Sequence, residues 1–199
     1  MINYSVVIQA GGKSSRMGED KGLLQFGKLK MVEHILQQVS GMGEKNFIVS
    51  NEPDGYREFG LPVFSDIYSN IGALGGFHTI LTYLETEFAL VLACDMPFVN
   101  LDLIEYLLSL ADGNDIVIPR LKPDEYAEPF RAVYSKRCLP AIERAITANK
   151  RRVISFFDEM KVRYVEKEEI HRFDPGELSF FNVNIPENLM EAIRLAGKS

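Results

Sequence analysis

The residues best suited to chemistry lie in a glycine-rich segment, Ala10 to Lys21, which reads AGGKSSRMGEDK and directly follows a short apolar run. Glycines let a backbone approach a triphosphate closely and turn its amides towards it. Lys13, Arg16 and Lys21 can neutralise several phosphate charges. A glycine pair alone would favour a solvated turn, but the position and the three cations indicate an anion-binding loop.

The glycine spacing in this loop excludes two common nucleotide motifs. Gly11, Gly12 and Gly18 fit neither the GxxxxGK(S/T) pattern of P-loop proteins nor the GxGxxG pattern of dinucleotide-binding enzymes. A P-loop ATPase or a simple dehydrogenase is therefore disfavoured.

Two aspartates also follow strand-like runs. Asp95 comes directly after FALVLAC, where its oxygens could hold a magnesium ion that bridges triphosphate oxygens. The alternative for Asp95 is an acidic residue at a helix start, stabilised by backbone amides. Asp66, in SDIYSNIGALGG, could contact a base or ribose, or only cap the next segment. We favour a contact with ligand because Lys21 and Asp95 are expected at the same edge of the sheet that these strand-like runs would form.

Alternating strand-like and helix-like segments position these loops. The predicted strands are Ser5 to Gln9, Asn46 to Ser50, Pro62 to Ser65, Phe88 to Cys94 and Asp115 to Pro119. The predicted helices between them are Val32 to Val39, Leu74 to Leu84 and Leu101 to Leu110, the last with Asn100 as N-cap. This order predicts a doubly wound, mostly parallel α/β sheet, whose ligands bind outside the carboxyl ends of the strands.

Beyond Pro119 the alternation weakens. Arg131 to Ser135 and Lys161 to Glu166 are predicted to be extended, whereas 137–149, 153–160 and 186–195 are predicted to be helical. The chain has no internal repeat and no low-complexity linker. We therefore expect one domain over residues 1–199, with a nucleotide-binding half of about 1–119 and an acceptor-binding half of about 120–199.

Composition excludes several other classes of protein. The formal net charge of −6 disfavours broad affinity for nucleic acid or for an anionic membrane surface. The sequence has no apolar stretch long enough to span a bilayer and no secretory signal, so we expect a cytoplasmic protein. Cys94 and Cys138 lack a CxxC spacing, and the histidines lack the spacing of a zinc site; they are His34, His78 and His171.

Taken together, these segments resemble the molybdenum cofactor guanylyltransferases, a family in the glycosyltransferase-A-like nucleotidyltransferase superfamily. The resemblance extends to VSN (49–51), AEPFRAVY (127–134) and FFNVNIPENL (180–189), so it covers almost the whole chain. It implies a single-domain, Rossmann-type nucleotidyltransferase fold. It also implies transfer of GMP from GTP to the phosphate of the molybdenum-molybdopterin cofactor, with release of pyrophosphate.

The same resemblance implies roles for individual residues. Those expected to bind the nucleotide are Gln9, Ala10, Gly11, Gly12, Lys21, Asn51, Asp66 and Asp95. Asp95 would also be the ligand of Mg²⁺, and the expected catalytic residues are Arg16, Lys21 and Asp95. Those expected near the acceptor are Glu128, Asn182 and Asn184, with Arg131 and the triplet 150–152 as the available cations. The protein partners implied are transient ones that deliver or receive the cofactor.

The chain departs from the family pattern in three places. Gln9 stands where leucine is common, Ala73 replaces a frequent proline, and Ile185 replaces a threonine. Cytidylyl-transferring relatives often carry Ala-Ala-Gly at residues 10–12, so Gly11 followed by Gly12 favours guanine.

Two alternatives to a guanylyltransferase stay open. The chain could be a related transferase that uses CTP, UTP or a sugar phosphate. It could also be a non-catalytic nucleotide-binding module that passes cofactor to a partner enzyme. Such a module need not keep both Asp95 and Lys21, so we disfavour it.

Overall fold

The computed structural model describes residues 2–10, 20–122 and 127–197. In these ranges the strands are β1 (Tyr4–Gln9), β2 (Gln25–Phe26), β3 (Leu29–Lys30), β4 (Phe47–Val49), β5 (Val63–Phe64), β6 (Phe88–Ala93), β7 (Ile116–Arg120), β8 (Arg131–Ser135) and β9 (Val162–Glu166). The helices are α1 (Met31–Gln38), α2 (Ala73–Tyr83), α3 (Leu101–Ser109), α4 (Leu139–Thr147), α5 (Lys167–Ile170) and α6 (Pro186–Ala196).

A seven-stranded sheet organises the molecule, in the order β5-β4-β1-β6-β8-β7-β9. Neighbouring strands are parallel except at β8, which runs antiparallel to both β6 and β7. Helices cover both faces, with α1 and α3 on one side and α2 and α4 on the other. The predicted doubly wound, mostly parallel α/β fold is confirmed.

The apolar strand sequences follow from burial on both faces of the sheet. Successive side chains of a strand point to opposite faces, and in β1 Val6 and Ile8 join one core cluster while Val7 joins the other. Every residue of β6 is buried. This two-sided burial explains why both strands read as continuous apolar runs rather than as alternating ones.

The register of the central strands brings their carboxyl ends together. Gln9 pairs with Val49 of β4 and with Ala93 of β6. Backbone bonds extend this alignment past the strand ends, because the Ala10 amide donates to the Val49 carbonyl at 2.8 Å and the Cys94 amide to the Gln9 carbonyl at 3.1 Å. The chain therefore leaves all three strands at one edge.

Local signals explain where several helices begin. The Asn100 side chain accepts a hydrogen bond from the Leu103 amide at 2.9 Å, as expected of an N-cap. Pro186 lies in the first turn of α6, where its missing amide donor costs nothing. Both predictions are confirmed.

The structure adds detail to the sequence predictions in three segments. The predicted helix at 153–160 is the 3-10 helix Val153–Glu159, and the predicted helix at 137–149 consists of the end of a 3-10 turn, Lys136–Cys138, followed by α4. The short hairpin of β2 and β3, which follows the glycine-rich segment, was not predicted. Each is a short element, for which hydrophobic periodicity gives a weak signal.

No helix of the described residues is long and apolar enough to cross a membrane. Cys94 and Cys138 are both buried.

Candidate active site

Three segments that are distant in sequence meet at the ammonium group of Lys21. Its Nζ lies 3.0 Å from Asp95 Oδ2 and 2.5 Å from Asn184 Oδ1. Lys21 ends the first loop, Asp95 follows β6, and Asn184 precedes α6. The Lys21 and Asp95 side chains are 18% and 23% exposed, so both groups are partly shielded but open to a ligand. The structure thus joins a cation, a carboxylate and an amide at the edge predicted to carry the site.

Lys21 is held in place by the residues on either side of it. The Asp20 carboxylate accepts hydrogen bonds from the Gly22 amide at 3.0 Å and from the Tyr56 hydroxyl at 2.6 Å. Burial is the main factor that raises the pKa of Tyr56, so its hydroxyl remains a donor. A Cβ atom on Gly22 would lie 2.3 Å from the Tyr56 hydroxyl oxygen, so this turn requires glycine. Residue spacing did not predict this support, because α1 and three strands separate Asp20 from Tyr56.

The backbone of Asp95 is tied to the asparagine motif. The Val183 amide donates to the Asp95 carbonyl at 2.8 Å. Asp95 lies in a turn before Asn100, which is the residue that caps α3. The alternative of Asp95 as a helix-start residue is therefore wrong.

Asn51 and Asp66 form a reciprocal pair beside this site. The Asn51 side-chain amide donates to Asp66 Oδ2 at 2.9 Å, and the Asp66 backbone amide donates to Asn51 Oδ1 at 3.0 Å. Asp66 Oδ1 is shielded from solvent and has no hydrogen-bond partner. The pair therefore fixes the orientation of a carboxylate that has one oxygen without a hydrogen-bond partner.

Gln9 and Ala10 lie at the end of β1, between the two groups just described. Gln9 lines an open cleft together with Asp20, Lys21, Ala93, Cys94, Asp95 and Phe130. Ala10 is fully buried. Four other residues of the predicted loop, Gly11, Gly12, Lys13 and Arg16, lie outside the described residues.

The structure brings the predicted acceptor residues only partly together. Asn184 contacts Lys21, whereas the Asn182 side chain donates to the Phe180 carbonyl at 3.4 Å. Glu128 is half-buried, and burial raises its pKa; the nearby Asp95 carboxylate adds to this rise, while Arg131 opposes it. Glu128 is therefore within the electrostatic reach of Asp95.

Arg131 is not available to bind an acceptor, contrary to the sequence prediction. It is 1% exposed and is the only lysine or arginine in the described residues that is buried. Its Nη2 donates to the Met96 carbonyl at 3.0 Å, while Nε and Nη1 have no hydrogen-bond partner. Burial lowers its pKa to about 10, opposed by the carboxylates of Asp174, Asp95 and Glu128. The alternation of side chains along a strand could have predicted that Arg131 is buried. Arg131 shares a face of β8 with the core residue Val133.

The other predicted cations are exposed. Lys150, Arg151 and Arg152 all lie at the surface, and Lys150 donates to the Ser155 carbonyl at 3.3 Å. This triplet is accessible to an anionic ligand.

The donor groups at the cleft suit a metal that is shared with a substrate. Within residues 2–10, 20–122 and 127–197, no three His, Cys, Asp or Glu side chains are grouped to hold a metal ion. Mg²⁺ is usually held by one or two carboxylates together with water and substrate phosphates. Asp95 fits this requirement, because its carboxylate already contacts a cation in the cleft.

A family model, two relatives and a solved structure each match this chain over most of its length. A family model described as the MobA-like NTP transferase domain matches residues 6–163. A probable molybdenum cofactor guanylyltransferase of Pelotomaculum thermopropionicum is 37% identical over 204 residues, covering 100% of this chain and 96% of the relative. The molybdenum cofactor guanylyltransferase of Syntrophotalea carbinolica is 35% identical over 184 residues, covering 92% and 88%. The crystal structure of molybdopterin-guanine dinucleotide biosynthesis protein A from Archaeoglobus fulgidus superposes with a TM-score of 0.83 at 26% identity, covering 98% of this chain and 100% of that one.

Arg131→Met should lower the free energy of unfolding by about 3 kcal/mol, because it leaves Asp174 buried without its nearby cation. Denaturant unfolding measures the change. The matched control is Arg137→Met, since the Arg137 side chain is 62% exposed beside Asp115 and an exposed pair contributes about 1 kcal/mol or less. Equal stability of the two variants would contradict this role of Arg131.

Proposed function

The chain belongs to the molybdenum cofactor guanylyltransferase family, which carries the MobA-like NTP transferase domain, and we propose that it transfers GMP from GTP to the phosphate of the molybdenum-molybdopterin cofactor. The contact of Lys21 with Asp95 and Asn184 is the observation that carries the proposal. This contact joins the cation that we propose neutralises phosphate charge to the carboxylate that we propose binds the metal. Both groups lie at the carboxyl edge of the sheet, where open α/β sheets bind ligands.

The nucleotide would lie along this edge. Its base would meet the Asn51–Asp66 pair, because Asp66 Oδ1 is oriented and has no partner. Its triphosphate would meet Lys21 and the glycine-rich loop. The remaining residues proposed for this site are Gln9, Ala10, Gly11 and Gly12.

Asp95 would hold Mg²⁺, because its carboxylate lines the cleft beside Lys21. The bound ion would neutralise charge on the phosphate oxygens. Lys21 would then exchange its bond with Asp95 for one with the phosphates. Asn184 would keep the ammonium group near the reacting phosphorus during this exchange.

The chemistry requires positioning and charge neutralisation rather than a strong base. An oxygen of the acceptor phosphate monoester is already anionic at neutral pH and forms a new bond to the α-phosphorus. The bond from the α-phosphorus to the bridging oxygen breaks, and pyrophosphate leaves with that electron pair. Lys21 and Arg16 would stabilise the charge that develops on the departing group.

The acceptor would bind towards the second half of the domain, near Glu128, Asn182 and Asn184. The contact of Asn184 with Lys21 supports this, because it links the late asparagine motif to the nucleotide side of the cleft. We also propose a cytoplasmic location. Transient contacts with proteins that deliver or receive the cofactor belong to the same proposal.

Pyrophosphate release with a panel of triphosphates and acceptors tests the whole proposal. Release only with GTP and molybdopterin supports it. Release with CTP or a sugar phosphate would indicate another transferase, and nucleotide binding without release would indicate a binding module.

We expect GTP with Mg²⁺ to bind at least tenfold more tightly than CTP or ATP. The guanine edge offers two N–H donors, and Asp66 offers an oriented acceptor. Calorimetric titration measures the affinities, and Asp66→Ala should remove most of the preference. Asp54→Asn is the control, because the Asp54 side chain is 85% exposed and pairs with Arg57, three residues further along. Equal affinity for CTP would contradict the guanine assignment.

Lys21→Ala should change two affinities in opposite directions. GTP affinity should fall about tenfold or more, because a charge-assisted contact with phosphate is lost. Binding of Mn²⁺ in the absence of nucleotide should become tighter, because the Asp95 carboxylate loses its competing cation. Calorimetry and electron paramagnetic resonance measure the two effects. The exposed Lys28→Ala variant should change neither; a fall in both affinities would contradict the exchange of partners.

Asp95→Asn should reduce turnover by about 10²- to 10³-fold while the fold is kept. Asparagine retains the shape and one oxygen but loses the charge that binds the metal. Steady-state rates across a magnesium titration, beside a melting curve, measure this effect. The exposed Asp112→Asn variant is the control, and normal turnover of Asp95→Asn would place the metal elsewhere.

A further inference from the structure

We propose that the side chain of Gln9 binds a ribose hydroxyl of the nucleotide and makes the protein selective for ribonucleotides over deoxyribonucleotides. This inference rests on the proposed function and adds a specificity-determining contact to it. The supporting observation is that Gln9 lines the cleft, while its carboxamide oxygen, Oε1, is shielded from solvent and has no hydrogen-bond partner. Leaving such an acceptor unpaired is costly, and a ligand that donates a hydrogen bond would remove that cost.

The position of Gln9 along the edge identifies the part of the nucleotide that it would meet. Gln9 ends the strand between β4, which leads to Asn51, and β6, which leads to Asp95. Two strand spacings span about 10 Å. A nucleotide with its base at the Asn51–Asp66 pair and its phosphates at Asp95 must pass its sugar over the end of β1.

The Gln9 side chain also lies on the same side of the sheet as the proposed base site. It shares a face of β1 with Val7, which packs in the same core cluster as α2. The turn that carries Asp66 is bound to α2 as well, because the Ile67 amide donates to the Thr79 hydroxyl at 2.9 Å. Gly76 and Thr79 are three residues apart in α2 and so lie on one face of that helix.

Gly76 provides the space in which the carboxamide rests. A Cβ atom on Gly76 would lie 2.8 Å from both Nε2 and Oε1 of Gln9. The helix therefore fixes the carboxamide against its backbone, and a larger residue at position 76 would displace it.

The chemistry of the ligand selects a hydroxyl as the group that Gln9 meets. Phosphate oxygens at neutral pH accept hydrogen bonds and cannot satisfy an unpaired acceptor. The donors of guanine would be engaged at Asp66, which follows β5, two strands away from β1. The 2′ and 3′ hydroxyls can both donate and accept, so they match either end of a carboxamide.

The test compares GTP, 2′-deoxyGTP and 3′-deoxyGTP by calorimetric titration with Mg²⁺ on the full chain. The wild type should bind at least one deoxy analogue about tenfold more weakly than GTP. Gln9→Leu, which keeps the size of the side chain but no polar group, should bind that analogue and GTP within about twofold of each other. A melting curve shows that the variant is folded.

Gly76→Ala gives an independent test through the same contact. It should reduce the discrimination as Gln9→Leu does, because the new methyl group displaces the carboxamide. In a Gln9→Ala background, Gly76→Ala should change the discrimination no further, since no carboxamide remains to be displaced. Alanine is well tolerated within a helix, so the fold should survive.

Three outcomes would overturn the inference. Undiminished discrimination in Gln9→Leu would show that another group contacts the sugar. A change in the ratio of GTP to ITP affinity, with the deoxy ratios unchanged, would show that Gln9 meets the base. Failure of the wild type to bind GTP at all would overturn the proposed function, and the inference with it.

Discussion

The alignment of β4, β1 and β6 is the constraint on which the site depends. Because Gln9 pairs with both Val49 and Ala93, the three strands end together and release their loops at one edge. The strands can end together only because both faces of the sheet are buried, which fixes their register through the core side chains. Asn51, Gln9 and Asp95 then follow in spatial order, although they are far apart along the chain.

Side-chain hydrogen bonds and an ion pair hold the charged groups at this edge of the sheet. Lys21 binds Asp95 and Asn184, while Asp20 is held by the Gly22 amide and the Tyr56 hydroxyl. A protein with a net charge of −6 can thus present a local site for anions. Beneath the site, the buried guanidinium of Arg131 lies near the carboxylates of Asp95, Glu128 and Asp174.

Much of the fold and part of the site could be predicted from the sequence, for identifiable reasons. Long two-sided strands such as FALVLAC have a strong apolar signal, so the position of Asp95 at the sheet edge followed directly. The reciprocal bonds between Asn51 and Asp66 depend on tertiary geometry, which residue spacing does not encode. The sequence predicted a helix at 153–160 but not its type, which is 3-10 over Val153–Glu159.

The burial of Arg131 was not predicted, because its residue type outweighed the strand period. Arginine is rarely buried, so exposure was the natural expectation. Its burial depends on carboxylates contributed by three separate segments, and the sequence does not indicate that they converge.

The reversed direction of β8 has a consequence for how such proteins can diversify. The parallel strands contribute the residues that follow them, but β8 runs the other way, so the residues that precede it reach the same edge. Glu128 therefore belongs to a connection between β7 and β8 that is separate from the loops after β1, β4 and β6. That connection can change in length and sequence without shifting the register of the other three strands. The topology therefore lets the acceptor side that we propose for Glu128 change, while the nucleotide side that we propose for the other three loops is preserved.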